Sequence, residues 1–174
     1  MTRLLIGIVA VALVATIGDY VWYEFGVRHQ MMVGVLHGAI LLMAAGGALG
    51  WPANRIGTGL AVGVGSGVLG ALAYYALVSS MGQTAMLAAW AAVWLLLAAG
   101  EGVLMHRPVK PIGGILIKGL AAAALSGIAF YAISDIIWRH SAPGTRNYGK
   151  QFACWLIAWA PGLMAIGASR PPRR

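Results

Sequence analysis

The chain has 174 residues, is 60% hydrophobic and only 9% charged, and carries a net charge of +8. A soluble domain has roughly 25% charged residues, so this sequence lacks the means to cover a water-facing surface. Its basic residues stand singly at the ends of apolar runs, with no basic stripe interleaved with aromatics of the kind that tracks a nucleic-acid backbone, and its single cysteine, Cys154, excludes an intramolecular disulfide and a cysteine-based metal cage.

The first apolar run, Leu4–Tyr23, follows Arg3. It is longer than a signal-peptide core and has no small-x-small cleavage site before Asp19, so a cleaved signal is not expected. It closes on Gly18-Asp19-Tyr20-Val21-Trp22, followed by Glu24, Arg28, His29 and Gln30. The second run, Met31–Gly50, ends at Trp51-Pro52-Ala53-Asn54-Arg55, where Pro and Asn interrupt a helix and Trp and Arg anchor at an interface. The third, Thr58–Ser80, turns at Met81-Gly82-Gln83 into the fourth, Thr84–Met105. Arg107-Pro108-Val109-Lys110-Pro111 is a stiff basic loop before the fifth run, Gly113–Trp138. That run closes on Ser134-Asp135-Ile136-Ile137-Trp138, a second Asp-x-x-Trp edge, with Arg139 and His140 beyond it. Ser141-Ala142-Pro143-Gly144-Thr145 is a loop, Gln151–Ser169 is the sixth run, and the tail Arg170-Pro171-Pro172-Arg173-Arg174 cannot continue a helix. Apolar runs of about 20 residues predict membrane helices. The expected fold is therefore all-α: a polytopic membrane helical bundle of six transmembrane helices, forming one integral membrane domain over residues 1–174.

With six spans both termini share a side. That side would carry Arg3, Arg55, Arg107, Lys110, Lys118, Arg170, Arg173 and Arg174, against Arg28, Arg139, Arg146 and Lys150 on the other. The excess predicts cytoplasmic termini in a bacterial-type inner membrane, with both Asp-x-x-Trp edges facing outward.

An internal repeat is visible. Leu42-Met43-Ala44-Ala45-Gly46 matches Leu96-Leu97-Ala98-Ala99-Gly100 and Leu163-Met164-Ala165-Ile166-Gly167 in the even-numbered spans. Ala73-Tyr74-Tyr75-Ala76-Leu77 matches Ala129-Phe130-Tyr131-Ala132-Ile133 in the third and fifth. A helical hairpin used three times in one orientation accounts for both, with a rotation axis along the membrane normal. Small residues recur every fourth position: Gly59, Gly63, Gly67 and Ala71 in the third span, and Gly119, Ala123 and Gly127 in the fifth. Such stripes let membrane helices approach closely. Two uses are expected for them: packing of the third span on the fifth, or a membrane-protein partner or second copy of the chain seated on the Gly59/Gly63/Gly67 face.

Ionisable groups inside a membrane are costly and mark candidate sites. His37 lies about six residues inside the second span, roughly 9 Å deep at the helical rise. Asp19 and Asp135 stand at helix C-termini, against the helix dipole, so each calls for a basic partner, with Arg139 within one turn of Asp135. The candidate substrate-binding set is His37, Asp19, Glu24, His29, Asp135 and His140, an outward vestibule. The simpler reading of the same residues is a set of salt bridges fixing the hairpin turns. Glu101 and Lys118, at similar depth in successive spans, are expected to pair. His37 has no histidine at matching depth to complete a haem site. No ligand spacing marks a metal site, and no phosphate-binding glycine loop is present, so no cofactor is expected.

These observations predict a small transport-type protein that binds or conducts a small solute or ion between helical hairpins. A non-catalytic accessory or assembly subunit of a larger membrane complex is the alternative. A membrane enzyme at the outer lipid interface comes third. No nucleic-acid partner is expected.

Overall fold

The computed structural model describes residues 1–26, 31–105, 111–139 and 146–167. Among these residues every regular element is helical: α1 (Thr2–Glu24), α2 (Met31–Gly50), α3 (Ile56–Met81), a 3₁₀ turn (Gly82–Thr84), α4 (Ala85–Leu104), α5 (Ile112–Trp138) and α6 (Tyr148–Gly167). Four segments are long and apolar enough to cross a membrane: Thr2–Glu24, Met31–Gly50, Ile56–Leu104 and Ile112–Trp138. The 49-residue stretch holds both α3 and α4, because only the 3₁₀ turn separates them. The sixth run forms a helix that opens three residues earlier than expected, at Tyr148. It stands outside those four segments, since it carries Lys150 and Gln151 in its first turn and Pro161 inside.

The turns follow local chemistry. After α2, Asn54 adopts a positive φ of 54°, a left-handed conformation that Asn tolerates. The Arg55 N–H then donates back to Gly50 O at 2.9 Å. Arg3 Nη1 donates to Asn54 Oδ1 at 2.8 Å, which ties the start of α1 to this turn. Between α3 and α4 the chain reverses at Gly82, with φ 57°, and Thr84 Oγ1 donates to Met81 O at 2.6 Å.

Successive helices pack side by side and α6 closes back on α1. Inside this ring α2, α4 and α6 touch one another, whereas among the described residues α1, α3 and α5 make no contact with one another. The three inner helices therefore build most of the core, with Leu42, Ala45 and Leu49, then Trp94, Leu97 and Ala98, then Trp159, Leu163 and Ile166. All three Leu-x-Ala-x-Gly segments lie on these inner helices, and Gly46, Gly100 and Gly167 are buried.

One outer helix, α3, is built inside out. The buried residues of α3 are Gly59, Gly63, Ser66, Gly67 and Gly70, while Leu60, Val64, Leu69 and Leu72 are exposed. Small residues inward and large apolar residues outward is how a helix packs when its outer solvent is lipid. The Gly59/Gly63/Gly67 stripe lies against α2. A Cβ on Gly46 would stand 2.8 Å from Gly63 Cα, and one on Gly67 would stand 2.8 Å from Ala39 Cα. This corrects both uses expected for the stripe. It does not meet α5, and α2 already covers the face proposed for a partner or second copy, because glycine opposite glycine brings the two backbones together with no room between them. On α5, Gly119 packs on Leu95 and Ala98 of α4, and Gly127 faces open space.

Candidate functional site

Asp19 lies on α1, five residues before the helix ends at Glu24, so its Cα is about 7 Å in from that end at 1.5 Å per residue. Its Oδ2 accepts two hydrogen bonds, from Gln151 Nε2 at 2.6 Å and from Trp155 Nε1 at 2.5 Å. Both donors come from α6. They are four residues apart and hence on one helix face. The sequence expectation of a basic partner is not what the described residues supply, because both donors are neutral. Neutral donors satisfy the carboxylate oxygen but supply no countercharge.

His37 is half-buried on α2 and leans on α1. A Cβ on Gly18 would stand 2.7 Å from His37 Nδ1, so the missing side chain of Gly18 makes the space that the imidazole fills. The ring meets Trp22 edge-on, with centroids 6.2 Å apart, and Asp19 is the next residue after Gly18 along α1. Among the described residues no hydrogen bond reaches His37. The imidazole lines a half-open groove of about 340 Å³ between α1 and α2, formed also by Val14, Ile17, Gly18, Val21, Trp22, Val33, Leu36, Ile40 and Leu41.

The rim beyond Asp19, at the end of α1, is tied along the same α1–α6 seam. Glu24 Oε1 accepts from Arg146 Nη1 at 2.9 Å and from Tyr148 Oη at 2.6 Å. Asp135 belongs elsewhere. Its Oδ2 accepts from Arg139 Nη2 at 3.0 Å, one turn along α5, and both side chains are exposed. Since α1 and α5 make no contact among the described residues, the two Asp-x-x-Trp edges keep separate partners. Trp138 lies under the Lys150 ammonium, 5.5 Å from the ring centroid. His29 and His140 lie outside the described residues. Glu101 is 1% exposed on α4 and Lys118 is half-buried on the adjacent α5.

Sequence reasoning missed two features. Tyr148 and Trp155 hold the carboxylates of α1, and Gln151 was noted only as the opening of a span. The four-residue spacing of Gln151 and Trp155 was the available signal. The second feature is a cluster of Trp90, Trp94 and Trp159, with ring centroids 5.2–5.9 Å apart. The indole N–H groups of all three are buried without a hydrogen-bond partner among the described residues. The pairs Trp90/Trp94 and Trp155/Trp159 both show i,i+4 spacing, which places each pair on one helix face. Close by, Gly162 N–H donates to Ser126 Oγ of α5 at 3.0 Å, next to Pro161.

Among the described residues, no group of three or more His, Cys, Asp or Glu is placed to hold a metal ion. Comparisons with protein-family models, with curated proteins and with solved structures returned no match.

Proposed function

We propose that the chain is a small integral membrane protein of transport type, with its binding site where α1 meets α2 and α6. In this reading α1 to α6 all cross the membrane as three repeated hairpins, α1–α2, α3–α4 and α5–α6. Both termini are cytoplasmic in a bacterial-type inner membrane, which follows from the Lys and Arg distribution. One observation carries the reading: within the candidate span Thr2–Glu24, the Asp19 carboxylate is held by two neutral donors, Gln151 and Trp155. An intramembrane charge without a countercharge is expensive, and such groups are characteristic of ion and proton pathways. Asp19 would bind the cation or proton, and His37 would be its neighbour on the other side of α1.

The test uses proteoliposomes loaded with a pH-sensitive dye under an imposed membrane potential. Proton uptake above that of empty vesicles is expected, falling at least tenfold in Asp19→Asn and in His37→Ala, with both variants monodisperse in detergent. Uptake no faster than in empty vesicles overturns transport. Equal uptake by Asp19→Asn and the unaltered protein overturns the role of Asp19.

A second reading, an accessory subunit of a larger membrane complex, is favoured by α5. Only 11% of its apolar window is buried, and open space lies over Gly113, Gly114 and Gly127. That reading predicts that Gly127→Trp leaves the isolated chain folded but lowers the mass of the assembly extracted in native membranes.

A further inference from the structure

The groove beside His37 has a shape and a charge environment that narrow what it would hold. We propose that it is a binding site for a lipophilic cation, an organic ammonium or pyridinium with an apolar body, that enters sideways from the bilayer. This rests on the transport reading of Asp19 and specifies the class of its substrate.

Access comes first. Ile17, Val21, Leu36 and Ile40 form the lips of the groove, and each is 44–59% exposed on the outer surface of the bundle. That surface faces lipid if α1 and α2 cross the membrane, so the way in is lateral. The groove volume of about 340 Å³ falls within the range of small-molecule sites, roughly 300–1,000 Å³.

Charge comes second. Nine of the ten lining residues offer no ionisable group, and the tenth is His37. The formal charge beside the groove is Asp19, one residue from Gly18 and tied only to neutral donors among the described residues. In a low-dielectric setting that charge is weakly screened, so it favours a cation and disfavours an anion. A second attraction for a cation is the indole of Trp22, which lines the groove. A ring nitrogen of His37 can accept from an ammonium N–H. The walls supply apolar contact, and Asp19 selects the sign.

The experiment measures binding of the fluorescent cation 4-(4-dimethylaminostyryl)-N-methylpyridinium and of its uncharged parent, which lacks the N-methyl group. The full chain is placed in nanodiscs of zwitterionic lipid. Tighter binding of the cation, by tenfold or more, is expected. Asp19→Asn should remove that preference and leave the parent unchanged. Ile40→Trp should weaken both probes at least fivefold by filling the groove, and it leaves the α1–α6 hydrogen bonds intact should Asp19→Asn fold poorly. Equal binding of both probes overturns the proposal, as does cation binding indifferent to Ile40→Trp. Groove-dependent cation binding without any Asp19-dependent flux would overturn the transport reading and leave the ligand class standing. Asp19-dependent flux without cation binding would do the reverse.

Discussion

Two seams, α2–α3 and α1–α6, close the same ring with opposite chemistry. At α2–α3 glycines of one helix lie on glycines and backbone of the other, with Gly38, Gly46 and Gly50 facing Gly59, Gly63 and Gly67. Between these glycines no side chain intervenes, so the backbone contact is lost as a unit when the helices separate. At α1–α6 the half of the seam toward the end of α1 is made by side chains: Gln151 and Trp155 on Asp19, Arg146 and Tyr148 on Glu24. Such contacts break one at a time, each at a modest net cost. The first seam is suited to staying shut, and the second to opening.

The sharpest way to break the comparison is to give the glycine seam a side chain. A Cβ on Gly63 would stand 2.7 Å from Leu42 C and 2.8 Å from Met43 Cα. Both are backbone atoms, so the helices themselves must part. Overpacking of this kind costs roughly 1–3 kcal/mol. Gly63→Ala should lower the melting temperature in detergent, and Gly63→Leu should abolish the monodisperse species. Gly127 is the control, with nothing within 4 Å of its Cβ position. Gly127→Ala should raise stability by about 0.4–1 kcal/mol, since the unfolded chain loses freedom and no clash forms. Equal effects at the two positions would dissolve the distinction.

The polar seam is expected to respond in a separable way, one contact at a time. Trp155→Phe removes one donor from Asp19 while keeping the aromatic bulk, at a cost of about 1.5–3 kcal/mol, the range for hydrogen bonds to a charged group. In a double-mutant cycle of Asp19→Asn with Trp155→Phe, a coupling of about 0.5–3 kcal/mol is expected for groups in contact. Thermal or denaturant unfolding in detergent measures it. Additive losses would mean that the two groups do not act as a unit and that the seam is held elsewhere.

What was legible in the sequence follows from range. Helices are local, so apolar run length placed them, and turn residues such as Asn54 and Gly82 marked where they end. The glycine stripe was legible as a contact surface. Its partner was not, because Gly59, Gly63 and Gly67 fit any small-faced helix, and α2 offers such a face as well as α5. The carboxylates of α1 were legible as candidates, since charge inside an apolar run stands out. Their partners lie 122–136 residues away, and no periodicity reports a contact between the two ends of the chain. The Trp90/Trp94/Trp159 cluster was hidden for a different reason: at membrane edges tryptophan reads as an interfacial anchor, and nothing in composition distinguishes a buried indole from a belt residue.

The smallest expected effect separates the two tiers within the polar seam. Glu24 is held by Arg146 and Tyr148 at the exposed rim, and Asp19 is half-buried more than one turn further in. Salt screens exposed pairs strongly, since the Debye length falls from about 10 Å at 0.1 M to about 3 Å at 1 M, and it screens buried ones much less. Glu24→Gln should therefore lower the melting temperature slightly at low salt, and the difference should vanish near 1 M salt. The loss in Asp19→Asn should persist across the same range. A rim contact that resisted salt would place Glu24 with Asp19 as part of one continuous latch. A salt-sensitive Asp19 would mean that water already reaches the inner tier, and the seam would then be open where the hydrogen bonds to Gln151 and Trp155 hold it closed.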